Sequence, residues 1–484
     1  MDMRKLRWIY CLSAVVALCW TGCTKENIDI DENLTVDERI NKFIVDGVQT
    51  YYLWEAETDW KQYDNNATFA AYTDHNQLFN RLIYKDDHWS MLTEDIQGLE
   101  NEFSGVSTTF GYTLTFYYNP FTSNNEVIAI ILFVSPHSPA ATAGLKRGDI
   151  LIRMNGSVIT TDNYLNLYYS SSLTIQCGIP NMEDRNLTLL PEIYSMTAVE
   201  MYENPINIHK IIEKNGSKIG YLCYTSYQIE SEKELEQLFS AFKAAGVREV
   251  VLDLRYNTGG YSRTAQILSS ILAPSSVVKN KEIYLKHFYN AMYTAYLEKN
   301  KYPLSETFVD TLSVNMDLQR LYVLTSNRTA SASEATIVGL APYLNVVQIG
   351  DTTTGKYCGG VLLSPEDIYD DNEKAIKYYR EFKNWGMYIM IYRYANIRGV
   401  TSFSSGLVPD IQFTEDPFDL KPLGDEDDPL LGRALADILG EPYLAPRSAK
   451  TPLPLNKLPD LKKPSFLINY ELRITNYESI HTMK

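Results

Sequence analysis

The stretch Thr325–Leu340, TSNRTASASEATIVGL, places two serines and a glutamate where a helix is predicted to begin, directly after the apolar run LYVL. A hydroxyl at a helix N-terminus faces free backbone N–H groups, so Ser331 can act either as a helix cap or as a nucleophile. Lys356 follows 25 positions later, and the turn NTGG, with Gly259 and Gly260, follows another apolar strand. A serine, a lysine and glycine N–H groups are the nucleophile, base and oxyanion donors that acyl transfer needs.

The elements between these residues predict that they meet at one edge of a parallel sheet. In a strand–helix–strand unit both strands end at the same edge, so the loops that follow them converge. A helix from Ser331 to about Tyr343 covers roughly 20 Å. The segment Leu344–Ile349 returns over about 20 Å as a strand. Lys356 can therefore return to the level of Ser331, and the NTGG turn can approach the same edge, where open α/β sheets bind ligands.

The choice of base follows from the histidine positions. No histidine lies between Phe288 and Ile480, and His209 and His287 stand in polar surroundings without a pattern. A lysine acts as a base only if burial lowers its pKa from about 10.4 towards neutrality. The sequence therefore favours Lys356 as the base.

Length, composition and charge limit the class of protein. The 484 residues suffice for two to four domains, and 45% hydrophobic with 21% charged residues is typical of a globular protein. The formal net charge of -16 argues against a nucleic-acid partner. The histidines form no HExxH pair, and the cysteines beyond residue 23 lie far apart. We therefore expect neither a metal site nor a cofactor.

A segment before the α/β region resembles a PDZ domain. The match lies in SPAATAGLKRGDIL and the strand after it, through Ser138, Pro139, Ala140, Ala143, Gly144, Leu145, Gly148, Asp149, Ile150 and Gly156. The resemblance implies a groove that adds a peptide as an extra strand and captures its terminal carboxylate on backbone N–H groups. We expect Phe110, Gly111 and Tyr112 to form that carboxylate loop. A PDZ-like spacer with a closed groove is the alternative.

Behind this segment, the motifs DLRYNTGG, TASASEA, GDTTTGK and GLVPDIQF occur in an order that resembles the carboxyl-terminal processing, or tail-specific, serine peptidases of family S41. The resemblance covers about Gly105 to Gly440. It implies an α/β protease domain of the ClpP/crotonase type, with Ser331 as nucleophile and Lys356 as general base. Gly259 or Gly260, together with Ala332, would supply the oxyanion amides.

The chain departs from the family pattern at two positions. Many members have a glutamine four residues after the lysine, which orients the lysine, whereas this chain has Gly360. A hydroxyl from Thr352 to Thr354 is a candidate substitute. Thr258 replaces the proline that is familiar in the oxyanion turn. Ser333 is the competing nucleophile, although its position inside the helix favours a hydrogen bond to backbone.

The N-terminus predicts export and lipidation. Arg4, Lys5 and Arg7 precede an apolar run too short to span a bilayer, which is typical of a signal peptide over residues 1–22. The ending WTGC resembles a bacterial lipobox, which implies that Cys23 is lipidated and anchors the chain to a membrane of the cell envelope, most simply the outer membrane on its periplasmic or surface side. An ordinary signal peptide with Cys23 as a bystander is the alternative.

These features predict six segments and a function. The segments are the signal peptide (1–22), an acidic tether (23–34), a small N-terminal helical domain (35–97), the PDZ-like domain (100–204), the peptidase domain (205–445) and a C-terminal tail (446–484). Capping boxes are predicted at Thr35 with Glu38 and at Ser231 with Glu234. The predicted function is a serine endopeptidase of the cell envelope that grips free C-termini of proteins or peptides. The alternatives are a catalytically inactive peptide-binding lipoprotein of the same fold and, on fold analogy alone, an acyl-CoA enzyme.

Overall fold

The computed structural model describes residues 30–443, except 123, 182, 207, 370 and 371, and residues 455–458. The predicted signal peptide, Cys23 and most of the predicted C-terminal tail lie outside these residues. Within the described part of the chain, no helix combines the length and apolar character needed to cross a membrane.

The N-terminal part is mainly helical. Its first helix begins after the predicted capping box: the Thr35 N–H donates to Glu38 (2.7 Å) and the Glu38 N–H donates to the Thr35 hydroxyl (3.3 Å). The elements are α1 (Val36–Tyr51), α2 (Trp60–Tyr63), α3 (Asn66–Ala71), α4 (His75–Leu82), β1 (Met91–Thr93) and α5 (Ile96–Phe103).

The middle part is an antiparallel β unit with its own apolar core. Its main sheet has the order β3-β4-β5-β7-β8, with β6 on β5 and β9 on β7, while β2 pairs with β10. The elements are β2 (Val106–Thr109), β3 (Tyr112–Tyr118), β4 (Val127–Val134), α6 (Pro139–Ala143), β5 (Ile150–Met154), β6 (Ser157–Val158), α7 (Asn166–Tyr169), β7 (Ser172–Asn181), β8 (Asn186–Leu189), β9 (Tyr194–Thr197) and β10 (Val199–Tyr202).

The remaining part contains two sheets. The first has the order β11-β12-β13-β16-β17-β20 and is parallel except for β11. The elements are β11 (Ile208–Lys214), β12 (Ser217–Cys223), α8 (Glu232–Ala244), β13 (Glu249–Asp253), α9 (Ser262–Leu272), α10 (Ser275–Lys279), β14 (Ile283–Tyr289), α11 (Ala291–Lys299), β15 (Ser305–Thr307), β16 (Arg320–Thr325), α12 (Ala332–Leu340), β17 (Asn345–Gly350), β18 (Cys358–Leu363), α13 (Pro365–Ile368), α14 (Glu373–Tyr379), β19 (Gly386–Ala395), β20 (Ile411–Gln412) and α15 (Pro429–Leu439).

The second sheet joins the N-terminal helices to the C-terminal α/β part. Strand β19 lies at its centre and pairs with β1, β14 and β18, all antiparallel. Side chains of α1, such as Phe43, belong to the same apolar cluster as residues of β13, α12 and β19. The segment predicted as a separate helical domain therefore shares its core with the peptidase segment.

The predicted capping box of α8 is wrong. Ser231 ends a turn of 3₁₀ helix over Ile229–Ser231 and has helical backbone angles, so its hydroxyl donates to the Gln228 carbonyl (2.6 Å). The Glu234 carboxylate instead accepts a hydrogen bond from the Asn204 amide (3.0 Å). A tertiary contact has replaced the local one.

Candidate active site

Ser331 occupies a strained turn between β16 and α12. Its backbone angles are φ 54° and ψ -106°, a conformation that residues other than glycine rarely adopt. The residue is 2% exposed and immediately precedes the first turn of α12. Strain of this kind persists only where surrounding contacts enforce it, and it is concentrated at functional sites.

Glu334, in the first helical turn of α12, stabilises the backbone conformation of Ser331. One oxygen of its carboxylate, Oε2, accepts hydrogen bonds from the N–H groups of Ser331 (2.7 Å) and Lys356 (2.8 Å). The other oxygen, Oε1, accepts from the Gly355 N–H (2.7 Å) and from the Thr353 hydroxyl. Burial raises the pKa of the Glu334 carboxyl, and these hydrogen bonds partly offset that rise. The buried carboxylate therefore connects the predicted nucleophile to the predicted base through their backbones.

Tyr394 holds the same two residues from their carbonyl side. Its hydroxyl, on β19, lies within hydrogen-bonding distance of the carbonyl oxygens of Ser331 (3.1 Å) and Lys356 (3.0 Å). The second sheet thus fixes the position of the loop after β17 relative to the loop after β16.

The Lys356 side chain enters an aromatic enclosure. The residue is 1% exposed, and its Nζ lies 5.3 Å from the ring centroid of Tyr388 and 5.8 Å from that of Trp89. Both distances are within the range in which a ring face attracts an ammonium group. Trp89 belongs to the N-terminal part and precedes Lys356 by 267 positions, so a remote segment of the chain contributes to this enclosure.

The space of the missing glutamine is filled by a ring. A Cβ atom built on Gly360 would lie 2.6 Å from a ring carbon of Tyr388 and 2.5 Å from the Cε of Met390, so no side chain fits there without movement. Two of the three hydroxyls predicted as substitutes are engaged elsewhere, because the Thr353 hydroxyl donates to Glu334 and the Thr354 hydroxyl donates to the Asn327 carbonyl.

The glycine turn lies beside the nucleophile loop. The Gly259 N–H donates to the Asn257 side chain (2.8 Å), which removes it as an oxyanion donor in this conformation. Among the described residues, the Gly260 N–H has no hydrogen-bond acceptor. Position 260 requires glycine, because its φ is 138° and a Cβ atom there would lie 2.1 Å from the Tyr227 carbonyl oxygen. Of the two predicted glycines, Gly260 is therefore the better oxyanion donor.

Ser333 is committed to the structure of this corner. Its hydroxyl donates to the Asn257 carbonyl (3.1 Å), and the same carbonyl accepts from the Ala330 N–H (3.1 Å). These bonds join the glycine turn to the loop that carries Ser331. The Ala332 N–H, the other predicted oxyanion donor, lies at the first position of α12, where a helix has N–H groups without intrahelical partners.

A buried charge network that the sequence analysis did not identify fixes the start of the glycine turn. The fully buried Arg255 contacts Asp253 (2.6 Å), Asp428 (2.9 Å) and Glu415 (2.7 Å). Burial alone would raise the pKa of Asp253, but Arg255 outweighs it and holds that pKa below its ordinary value. Arg147 of the middle unit also contacts Glu415 (2.6 Å). The sequence signal for this network was the occurrence of Asp253 and Arg255 within the otherwise apolar segment VVLDLR.

The predicted carboxylate loop is packed inward. Phe110 and Tyr112 are 1% and 2% exposed, and their rings stack at 5.7 Å. The Gly111 N–H donates to the hydroxyl of Thr109 (3.0 Å). In this conformation the expected inward-facing amide of Gly111 is therefore satisfied by a neighbouring side chain.

Comparisons with known proteins agree with this geometry. The model of peptidase family S41 matches residues 218–413, and the model of the S41 N-terminal domain matches residues 39–91. A solved structure assigned to the S41 proteases, from Bacteroides fragilis NCTC 9343, superposes with a TM-score of 0.66 at 25% identity and covers 82% of this chain and 97% of that one.

The curated relatives are carboxyl-terminal processing proteases. The chain is 27% identical over 244 residues to the carboxy-terminal processing protease CtpA of Bacillus subtilis (strain 168), covering 50% of this chain and 47% of that protein. It is 22% identical to the carboxyl-terminal-processing protease of Picosynechococcus sp. (strain ATCC 27264 / PCC 7002 / PR-6), covering 74% of this chain and 77% of that protein. The first match thus spans about half the relative's length.

The fold, the serine corner and these matches define a serine peptidase. The chain belongs to peptidase family S41 and has the mixed α/β fold of that family.

Proposed function

We propose that this protein is an endopeptidase that cleaves protein substrates with a dyad of Ser331 and Lys356. The observation that supports this assignment best is the pair of buried groups, Glu334 and Tyr394, that hold the backbones of both residues on opposite sides. Contacts of this kind hold two residues that are 25 positions apart in sequence in a fixed arrangement before substrate binds.

In the proposed reaction, the Ser331 hydroxyl attacks the carbonyl carbon of the scissile peptide bond and its proton passes to neutral Lys356. The N–H groups of Gly260 and Ala332 stabilise the oxyanion. Collapse of this intermediate breaks the C–N bond, and the departing amine takes the proton from Lys356. Water then hydrolyses the Ser331 ester, with Lys356 again acting as the base.

The middle unit is proposed to be a PDZ domain that receives substrate C-termini, and Cys23 is proposed to carry a lipid that anchors the protein in the cell envelope. The antiparallel sheet of the middle unit supports the first assignment, since residues of the edge strand β3 form hydrogen bonds with residues of the short helix α7. The names of the curated relatives, which are carboxyl-terminal processing proteases, agree with it.

An inactive binding protein of the same fold is the second candidate, because Gly360 cannot hold the orienting glutamine. Reaction with a fluorophosphonate probe, followed by peptide mapping, separates the two. The enzyme requires labelling of Ser331, loss of labelling in Ser331→Ala and retention in Ser333→Ala. A folded wild-type protein that the probe does not label would instead support the binding protein.

The PDZ assignment has its own test. A peptide substrate with a free C-terminal carboxylate should bind more tightly than the same peptide with a C-terminal amide, because backbone N–H groups would face the negative charge. Equal affinities, measured by fluorescence anisotropy on Ser331→Ala, would remove carboxylate capture from the proposal without affecting the dyad.

A further inference from the structure

The outer edge of β3 pairs, through an isolated β-bridge, with a short segment from a distant part of the same chain. The Leu458 N–H donates to the Phe116 carbonyl (3.2 Å), and the Tyr118 N–H donates to the Asn456 carbonyl (3.0 Å). Tyr117 and Lys457 form the antiparallel bridge between these two bonds. The described tail residues, Leu455–Leu458, are therefore added to the sheet through their backbone, as in strand addition by a peptide.

One side chain of this segment serves as an apolar anchor. Leu458 is 7% exposed and belongs to the core cluster of the middle unit, together with Leu114, Tyr164 and Leu167. Asn456 and Lys457 are exposed. A buried residue preceded by exposed ones, with bonds made by the backbone, is the pattern of a bound peptide in which one pocket selects the side chain.

The segment has the direction that a substrate tail would need. Because it is antiparallel to β3, it runs from Asn456, opposite Tyr118, to Leu458, opposite Phe116, and thus towards the predicted carboxylate loop at the start of β3. A peptide that places its C-terminus in that loop must use the same edge in the same direction.

The next part of the edge is occupied by two other groups of the chain. The Leu114 N–H donates to the Tyr168 hydroxyl (2.9 Å), and the Leu114 carbonyl accepts from the Arg328 guanidinium (2.9 Å). Arg328 lies in the loop that leads to Ser331. On the outer edge of β3, the N–H and carbonyl of Leu114, the carbonyl of Phe116 and the N–H of Tyr118 are thus bound by the protein itself.

We propose that the edge of β3 and helix α7 form a peptide-binding groove whose intramolecular ligand is the segment Leu455–Leu458. The external ligand is an extended peptide with an aliphatic residue at the position of Leu458, and it must displace this segment to bind. The inference rests on the proposed function only in assigning the groove to substrate tails, since the pairing itself requires no catalysis. A tethered ligand competes at a high effective concentration, so the groove is closed to weak peptides.

The test measures binding of a fluorescein-labelled peptide with the sequence PLNKLPD, residues 454–460, to the full-length protein. All proteins carry Ser331→Ala, which prevents hydrolysis of the probe. Leu458→Asp removes the anchor of the internal segment and should raise the affinity for the probe about tenfold or more, given the apolar area that Leu458 buries. Leu458→Ala should give a smaller rise, which keeps the test informative if the aspartate variant misfolds.

Asn456→Ala is the matched control, because the exposed side chain takes no part in the pairing, and its probe affinity should equal that of the parent. Hydrogen exchange of the Tyr118 amide should accelerate in Leu458→Asp and stay unchanged in Asn456→Ala. Probe affinity that does not change in either Leu458 variant, or faster exchange without any probe binding, would overturn the proposal. Increased probe binding by a protein whose wild-type form hydrolyses no substrate would retain the groove and contradict the proposed function instead.

Discussion

At the scale of single residues, one carboxylate organises the candidate site. Glu334 is fully buried, yet its carboxylate accepts hydrogen bonds from the backbone N–H groups of both Ser331 and Lys356 rather than contacting a cation. Charge-assisted bonds of this kind are short and directional. Glu334 therefore positions the two backbones, while the proposed proton transfer depends on Lys356.

Replacing Lys356 with arginine tests the base. A guanidinium keeps the positive charge but stays protonated at any working pH, so Lys356→Arg should lower kcat by about 10²-fold or more. In the wild-type protein, kcat/KM should rise with pH as the lysine loses its proton. The measurement is steady-state hydrolysis of a peptide substrate between pH 6 and 10, with melting temperature as the folding control. Wild-type turnover by Lys356→Arg would show that another group is the base.

At the scale of elements, β19 is the strand on which the site is assembled. It supplies Tyr388 beside the lysine and Tyr394 between the two loops, and its Met390 N–H donates to the Ser90 hydroxyl of the N-terminal part (3.1 Å). Ser90 follows Trp89, whose ring faces the lysine. Docking of the N-terminal helices on β19 thus completes the surroundings of Lys356.

A substitution at Trp89 tests that contribution. A ring face favours the ammonium form of a lysine by about 0.5–2 kcal/mol. Trp89→Leu should therefore move the midpoint of the pH–rate profile down by roughly 0.4–1.5 pH units. Trp89→Phe retains a ring face and should keep the midpoint near the wild-type value. A purely structural role would lower activity in both variants without moving the midpoint.

The second sheet also contains an acid–base pair, formed by a buried histidine and a partly buried glutamate. His287 on β14 lies with its Nε2 3.5 Å from an oxygen of Glu306 on β15. Burial raises the pKa of Glu306 to about 8 and lowers that of His287 to about 4. The stabilising contribution of Glu306 is therefore fully present below its unfolded pKa and is lost as the pH rises through about 8.

Glu306→Gln, which cannot ionise, should gain stability relative to the wild-type protein as the pH rises. The difference in melting temperature between Glu306→Gln and the wild type should be larger at pH 9 than at pH 5, by roughly 3 °C or more. Glu298→Gln, at an exposed position of α11, is the control. Equal pH dependence of wild type and Glu306→Gln would indicate that Glu306 is ionised throughout.

At the scale of the whole molecule, two arginines join the middle unit to the catalytic part. Arg147 reaches from the middle unit to Glu415 and the carbonyl of Lys421 (2.7 Å), and Arg328 reaches from the nucleophile loop to β3. The hydrogen bond from Arg328 to Leu114 thus connects the edge of β3 directly to the loop that contains Ser331.

The predicted anchor is tested on the whole protein in its native host. Cys23→Ser should move the protein from the membrane fraction to the soluble fraction after cell lysis, because lipidation needs the thiol. Cys19→Ser lies within the predicted signal peptide and should leave membrane association unchanged. A Cys23→Ser protein that remains in the membrane fraction would contradict the lipobox.

Features that depend on local pattern and on strand order could be predicted from the amino-acid sequence. The capping box of Thr35 and Glu38 formed as predicted, because both partners lie within one helical turn. The loops with Ser331, Lys356 and Gly260 meet at one sheet edge, because β13, β16 and β17 are parallel neighbours. Parallel strands leave no other place for the loops that follow them.

The side chains that complete the site, and the segment that occupies the β3 edge, could not be predicted, because both depend on tertiary contacts. Trp89 and Tyr388 face Lys356, and Leu458 pairs with β3, through contacts between distant segments that leave no periodic pattern in the chain. The predicted cap of Ser231 failed for the same reason, since Asn204 captured Glu234. A local preference is worth about 1 kcal/mol, so the packing of remote segments readily overrides it.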